Sequence, residues 1–132
     1  MLPHIESLLS LCLSTMQFYN VWLIELAGQH YAMIQAHNTM RETWDSWCGG
    51  TAGIPPPILE SLHEHEMRAQ SAMRQCFEKR SEVKEQLAVA QDYVQECLQH
   101  ERLPPCERIL LMNCATALQQ CDPDHPSFPL RL

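Results

Sequence analysis

Residues 5–47 read IESLLSLCLSTMQFYNVWLIELAGQHYAMIQAHNTMRETWDSW, and this stretch decides the fold. Mostly apolar residues recur in it at spacings that alternate between three and four. Such spacings place the side chains on one face of a helix, whereas in a strand every second residue shares a face. The pattern predicts one helix over about residues 4–48, with Pro3 in its first turn and Gly49 at its end. The positions that carry it, which we call the first seam, are Ile5, Leu9, Cys12, Met16, Tyr19, Leu23, Leu26, His30, Met33, His37, Met40, Trp44 and Trp47.

A second seam follows the loop at residues 49–57, which contains three glycines and three prolines. It predicts a helix over about residues 57–102, which Pro104 and Pro105 terminate. Two long helices joined by a nine-residue loop fold back antiparallel, and in a symmetric turn the numbers of facing residues sum to about 105. The second seam consists of Leu59, Leu62, Glu66, Ala69, Met73, Cys76, Arg80, Val83, Leu87, Ala90, Val94, Cys97 and Glu101.

A shorter third helix is predicted over about residues 105–121, and the proline-containing residues 122–132 are predicted to form an extended tail. The first helix carries a second apolar row between Leu8 and Trp22, so this end of the hairpin needs a further covering element. The expected fold is therefore all-α: a long, coiled-coil-like antiparallel hairpin with the third helix packed on its base, and residues 1–121 as a single domain. The apolar face available on the third helix consists of Ile109, Leu110, Leu111, Cys114, Ala117 and Leu118.

Charge and cysteine content narrow the class of protein. Sixteen acidic and nine basic residues give a net charge of −7 without a basic run, which disfavours binding to nucleic acid or anionic lipid. Residues 5–27 are long enough to span a bilayer, but Glu6 and Glu25 disfavour a membrane helix.

Seven cysteines at mostly apolar helical positions, without a C-x-x-C pair, predict free thiols in a reducing compartment such as the cytoplasm.

The end of the hairpin remote from the third helix is the predicted binding surface. A two-helix arm buries only one side of each seam residue, and Met and Trp are well suited to partner contacts. The row Gly28, Ala32 and Ala36 allows a close approach of another backbone. We expect a non-enzymatic interaction or assembly module (an adaptor, a complex subunit or a chaperone-like protein) that uses no cofactor and binds a protein partner or a second copy. The predicted contact residues are Met33, His37, Met40, Trp44, Trp47, Leu62 and Ala69.

An alternative hypothesis is a metal-binding helical protein of the ferritin-like type. Glu60 and His63 form a Glu-x-x-His pair, which places both side chains on one helical face, and the register offers Asp45 as a facing carboxylate. The competing interpretation is a solvated, acidic first turn that the helix dipole stabilises. Neither a G-x-S-x-G motif nor a P-loop occurs in the sequence, so we expect no enzyme activity.

Trp47, Cys48 and Gly49 form a W-x-G at the bend between the two long helices. This motif resembles the signature turn of the WXG100 family, secreted helical hairpins that form dimeric four-helix bundles. The resemblance implies a secreted hairpin that dimerises. The family's C-terminal signal has an acid four residues after a tyrosine, whereas here Cys97 stands four residues after Tyr93 and Glu96 is one residue short.

Overall fold

The computed structural model describes residues 3–47 and 53–126, and all regular secondary structure within these ranges is helical. The all-α prediction is therefore confirmed for the part of the chain that is described. Residues 3–47 and 53–126 form four helices in the order α1 (Pro3–Ser46), α2 (Pro56–Glu78), α3 (Arg80–His100) and α4 (Pro105–Gln120).

The single helix expected over residues 57–102 is divided into α2 and α3 at Lys79. Lys79 has φ −68° and ψ −13°, so its backbone stays right-handed while ψ departs from the usual helical value of about −42°. The carbonyl oxygen of Lys79 still accepts a hydrogen bond from the Val83 amide, at 3.1 Å. The sequence has neither glycine nor proline at this point, and periodicity therefore could not locate the division.

Prolines stand at the helix boundaries, as the sequence predicts. Pro3, Pro56 and Pro105 each begin a helix, where the missing amide proton costs no intrahelical hydrogen bond. After α3, Glu101 takes an extended conformation with φ −111° and ψ 143°. A residue that precedes proline is also biased away from the helical region, and Leu103 precedes Pro104. The start of α2 lies one residue before the predicted position.

The chain divides into two compact units, and α1 contributes residues to both. Unit 1 comprises Met1–Leu23 and Lys79–Leu132, and unit 2 comprises Ile24–Glu78. In unit 1, α3 packs against α4. Its buried apolar residues include the α3 seam positions from Val83 to Cys97: Ile5, Cys12, Tyr19, Trp22, Leu23, Val83, Leu87, Ala90, Val94, Cys97, Leu111, Ala115 and Leu118.

Hydrogen bonds between distant residues hold α1 in unit 1. His4 Nε2 lies 2.8 Å from Glu101 Oε2, and the two residue numbers sum to 105, which agrees with an antiparallel arrangement of α1 and α3. The Tyr19 hydroxyl donates to the Asp122 carbonyl at 3.3 Å and accepts from the Asp122 amide at 3.2 Å. The chain after α4 is therefore attached to the middle of α1.

The face of α4 that packs in unit 1 differs from the predicted one. Leu111 and Leu118 are fully buried, as expected, but Ile109 is 58% exposed and Leu110 is 41% exposed. Successive helical residues are separated by about 100°, so a narrow contact line through Leu111, Ala115 and Leu118 leaves residues 109 and 110 outside it. The apolar contact face of α4 that the sequence predicts is therefore wider than the observed one.

Unit 2 has a small core. Among its described residues the buried apolar ones are Leu26, Ala36, Ile54, Ala69 and Cys76, and three of these side chains are small. All described residues after Glu78 belong to unit 1, so unit 2 draws its core from α1, α2 and the residues between them. Its exposed large hydrophobic side chains are Ile24, Tyr31, Ile34, Trp44, Trp47, Ile58, Met67 and Phe77.

By length and composition alone, α1 is apolar enough to cross a membrane. Its most apolar window has a mean hydropathy of 1.3 and is 28% buried within the protein. Core helices of soluble proteins and signal sequences have the same properties, so this finding does not decide between them. It is the one such helix among the described residues.

Candidate interaction surface

The first seam changes from buried to accessible between unit 1 and unit 2. In unit 1, Ile5, Cys12 and Tyr19 are 0–6% exposed. In unit 2, Trp44 is 40% exposed and Trp47 is 41% exposed. Met33 and Met40 are half-buried and His37 is exposed. The seam is thus buried or half-buried from Ile5 to Leu26, whereas its two tryptophans near the end of α1 are exposed.

The two predicted contact residues on α2 have different environments. Leu62 is half-buried and accessible in part, whereas Ala69 is 8% exposed and belongs to the core of unit 2. Ala69 therefore has almost no surface for a partner. We call the remaining set the helix-pair surface, and it consists of Met33, His37, Met40, Trp44, Trp47 and Leu62.

A groove of about 280 Å³ lies next to the helix-pair surface within unit 2. Met33, Ile34 and His37 of α1 form one wall. Glu66 and Gln70 of α2 form the other, and the Gln70 amide donates a hydrogen bond to Glu66 Oε1 at 3.5 Å. The groove has apolar side chains on one helix and a carboxylate on the other.

Unit 2 carries most of the negative charge of the chain. Seven acidic residues and three arginines lie between Ile24 and Glu78, which gives −4 of the total −7 with histidine neutral. The ion pair between Arg68 and Glu64, at 3.7 Å, is exposed, and such pairs contribute between about 0 and 1 kcal/mol. The net field around the helix-pair surface is therefore negative.

A further exposed row on α1 was missed by the sequence reasoning. Ile24 and Tyr31 are 56% and 64% exposed, and Gly28 lies between them at helical spacings of four and three. A Cβ atom added to Gly28 would have nothing within 4 Å. The signal was present in the sequence, but these residues lie outside the seam and were not considered as a row of their own.

The structure does not bring the metal-ligand candidates together. Asp45, Glu60 and His63 are all exposed. Within residues 3–47 and 53–126, no three His, Cys, Asp or Glu side chains form a group able to hold a metal ion. The ferritin-like hypothesis therefore finds no ligand set in this part of the chain.

Two of the buried cysteines, Cys12 and Cys97, are protonated thiols. Burial, reinforced by the neighbouring Cys114 thiol, raises the pKa of Cys12 to about 12. Burial and the carboxylate of Glu101 raise the pKa of Cys97 to about 11. Since a thiolate is the reactive species, neither thiol is activated as a nucleophile at neutral pH. Cys12, Cys97, Cys106, Cys114 and Cys121 are free thiols, and Cys48 lies outside the described residues.

Comparison of the chain with protein-family models, curated protein sequences and solved structures gives no match. The WXG100 resemblance consequently remains a hypothesis that rests on three residues. Two of these, Cys48 and Gly49, lie outside the described residues, as does the tail after Pro126.

Proposed function

We propose that this protein is a non-enzymatic helical interaction module that binds another protein through the helix-pair surface of unit 2. The observation that carries the proposal is the change of the first seam from buried to accessible. A small core of Leu26, Ala36, Ile54, Ala69 and Cys76 leaves two tryptophans 40–41% exposed. Exposed apolar patches of this kind are characteristic of interfaces.

The chemistry of unit 2 favours a helix as the bound element. The helix-pair surface runs along α1 at spacings of three and four, which matches the apolar face of an incoming helix.

The charge of unit 2 favours a basic partner over a second copy. In a homodimer, two copies of unit 2, each with a net charge of −4, would repel each other. A helix with lysine or arginine beside its apolar face instead complements Glu66 and the neighbouring acidic residues. A homodimer through α1 and α2 remains the alternative, which high salt would strengthen by screening the repulsion.

The finer fold and the compartment are part of this proposal. We propose a coiled-coil-like antiparallel hairpin with α4 on its base, for which the seam burial in α3 and the His4–Glu101 hydrogen bond are the support. We also propose a reducing compartment, such as the cytoplasm. The support is that Cys12 and Cys97 occupy apolar core positions as free thiols.

Sedimentation equilibrium tests the self-association arm of the proposal. The wild type, Trp44→Ala and Ile109→Ala are compared over a concentration series at 50 and 500 mM salt. Ile109 is the matched control because it is an exposed apolar residue of unit 1, 58% accessible. A dimer that Trp44→Ala weakens by about tenfold or more, and Ile109→Ala leaves intact, identifies the partner as a second copy. Monomers throughout would eliminate the homodimer and leave the foreign helix.

A further inference from the structure

A second groove, of about 470 Å³, lies in unit 1 between the first turns of α1 and the last turns of α3. Sites that hold small organic ligands commonly have volumes of about 300–1,000 Å³. α4 packs against α3 in this unit, but no α4 residue lines the groove. The groove is lined by residues of α1 and α3 and by Glu101, and it shares no residue with the helix-pair surface.

The groove is polar at one end and apolar at the other. His4 of α1 and Glu101 at the end of α3 form the polar end. Leu8 and Leu11 of α1 and Tyr93 of α3 line the apolar end, and Tyr93 is 56% exposed. From residue 4 to residue 11 a helix rises about 10 Å, so the groove is about two helical turns long. This length suits a small amphipathic molecule better than a helix.

The charge at the polar end is negative. The Glu101 carboxylate accepts hydrogen bonds from His4 Nε2 at 2.8 Å and from the Cys97 thiol at 3.3 Å, and both end on Oε2. These two hydrogen bonds hold the pKa of Glu101 below its ordinary value, so the carboxylate is ionised at neutral pH. Glu96 contributes a second carboxylate to the lining.

We propose that this groove binds an amphipathic organic cation, with an ammonium head at Glu101 and an apolar body on Leu8, Leu11 and Tyr93. Oε1 of Glu101 is available to accept from the ammonium group, since the two internal hydrogen bonds use Oε2. The lining includes two carboxylates and neither lysine nor arginine, which disfavours an anionic head group. The site lies wholly in unit 1, so it does not depend on the function proposed for unit 2.

Octylammonium, octanoate and octanol test the proposal, because they share one tail and differ in the charge of the head group. Each is titrated into the full chain at pH 7.5 and 20 mM salt, below the concentration at which it aggregates, with binding followed by NMR. We expect one saturable octylammonium site per chain, with an affinity about tenfold higher than that for octanoate and lower at 200 mM salt. Absence of saturable binding, or equal affinity for both ions, would overturn the proposal.

Three variants identify the site. Glu101→Gln should reduce the octylammonium affinity about three- to tenfold and leave octanol unchanged. Leu11→Ala should weaken all three ligands, because that side chain, 37% exposed, contacts the tail. Glu82→Gln removes a charge from an exposed position on α3 that does not line the groove, and should have little effect. If Glu82→Gln and Glu101→Gln weaken binding equally, the attraction is due to net charge and the site is refuted.

Discussion

Replacement of Leu111 by alanine should destabilise the protein far more than replacement of Ile109, although the two residues lie two positions apart on α4. Leu111 is 0% exposed and Ile109 is 58% exposed. Truncation of a fully buried leucine costs about 2–5 kcal/mol, since it removes apolar contacts and leaves a cavity. Truncation of a mostly exposed side chain changes the free energy of unfolding by about 0.5 kcal/mol or less.

Urea denaturation followed by circular dichroism measures this difference. With a denaturant dependence of about 1–3 kcal/mol per molar urea, a loss of 3 kcal/mol lowers the midpoint by roughly 1–3 M for Leu111→Ala. The midpoint for Ile109→Ala should move by no more than a few tenths of a molar. Equal shifts for the two variants would refute the α4 packing described here and support the wider apolar face predicted from the sequence.

Three further outcomes are expected. Brief treatment with iodoacetamide at pH 8 should label the exposed Cys106 first and leave Cys12 unlabelled, as peptide mass spectrometry would show; early labelling of Cys12 would mean that its burial is wrong. Because the pKa of Cys12 is raised from 9.0 to about 12, its contribution to stability is complete below about pH 9 and is lost as the pH rises toward 12. Denaturation at pH 7.5 and 10.5 should therefore show a smaller alkaline loss for Cys12→Ala than for Cys106→Ala, and identical losses would contradict the shift. Gly28→Ala should raise the free energy of unfolding by about 0.5–1 kcal/mol, because the added Cβ meets nothing within 4 Å; a decrease would show that this face is already covered.

The helical elements could be predicted because the seam period is long and regular. Ile5, Cys12 and Tyr19 on α1 and Val83 and Leu87 on α3 are buried at the positions that the alternation of three and four selects. Prolines mark the starts of α1, α2 and α4, since proline suits only the first turn of a helix. These signals are local, and a single sequence is sufficient to interpret them.

The features that the sequence did not predict correctly depend on packing rather than on periodicity. The division at Lys79 follows from a small change in ψ, and no residue type at this position predicts that change. The exposure of Ile109 and the burial of Ala69 depend on how wide each contact line is, and this width is set by the neighbouring helix. The groove at His4 and Glu101 combines residues 97 positions apart, so it became visible only once the fold had been determined.

Site-specific photo-crosslinking in the cells that express this protein tests the central claim most directly. A photoreactive phenylalanine analogue is placed at position 40, on the helix-pair surface, or at position 109, on the exposed face of α4. We expect a discrete adduct from position 40, lost when Trp44→Ala is added, and no equivalent adduct from position 109. A protein that stays uncrosslinked at position 40, or that forms the same adducts from both positions, would contradict it.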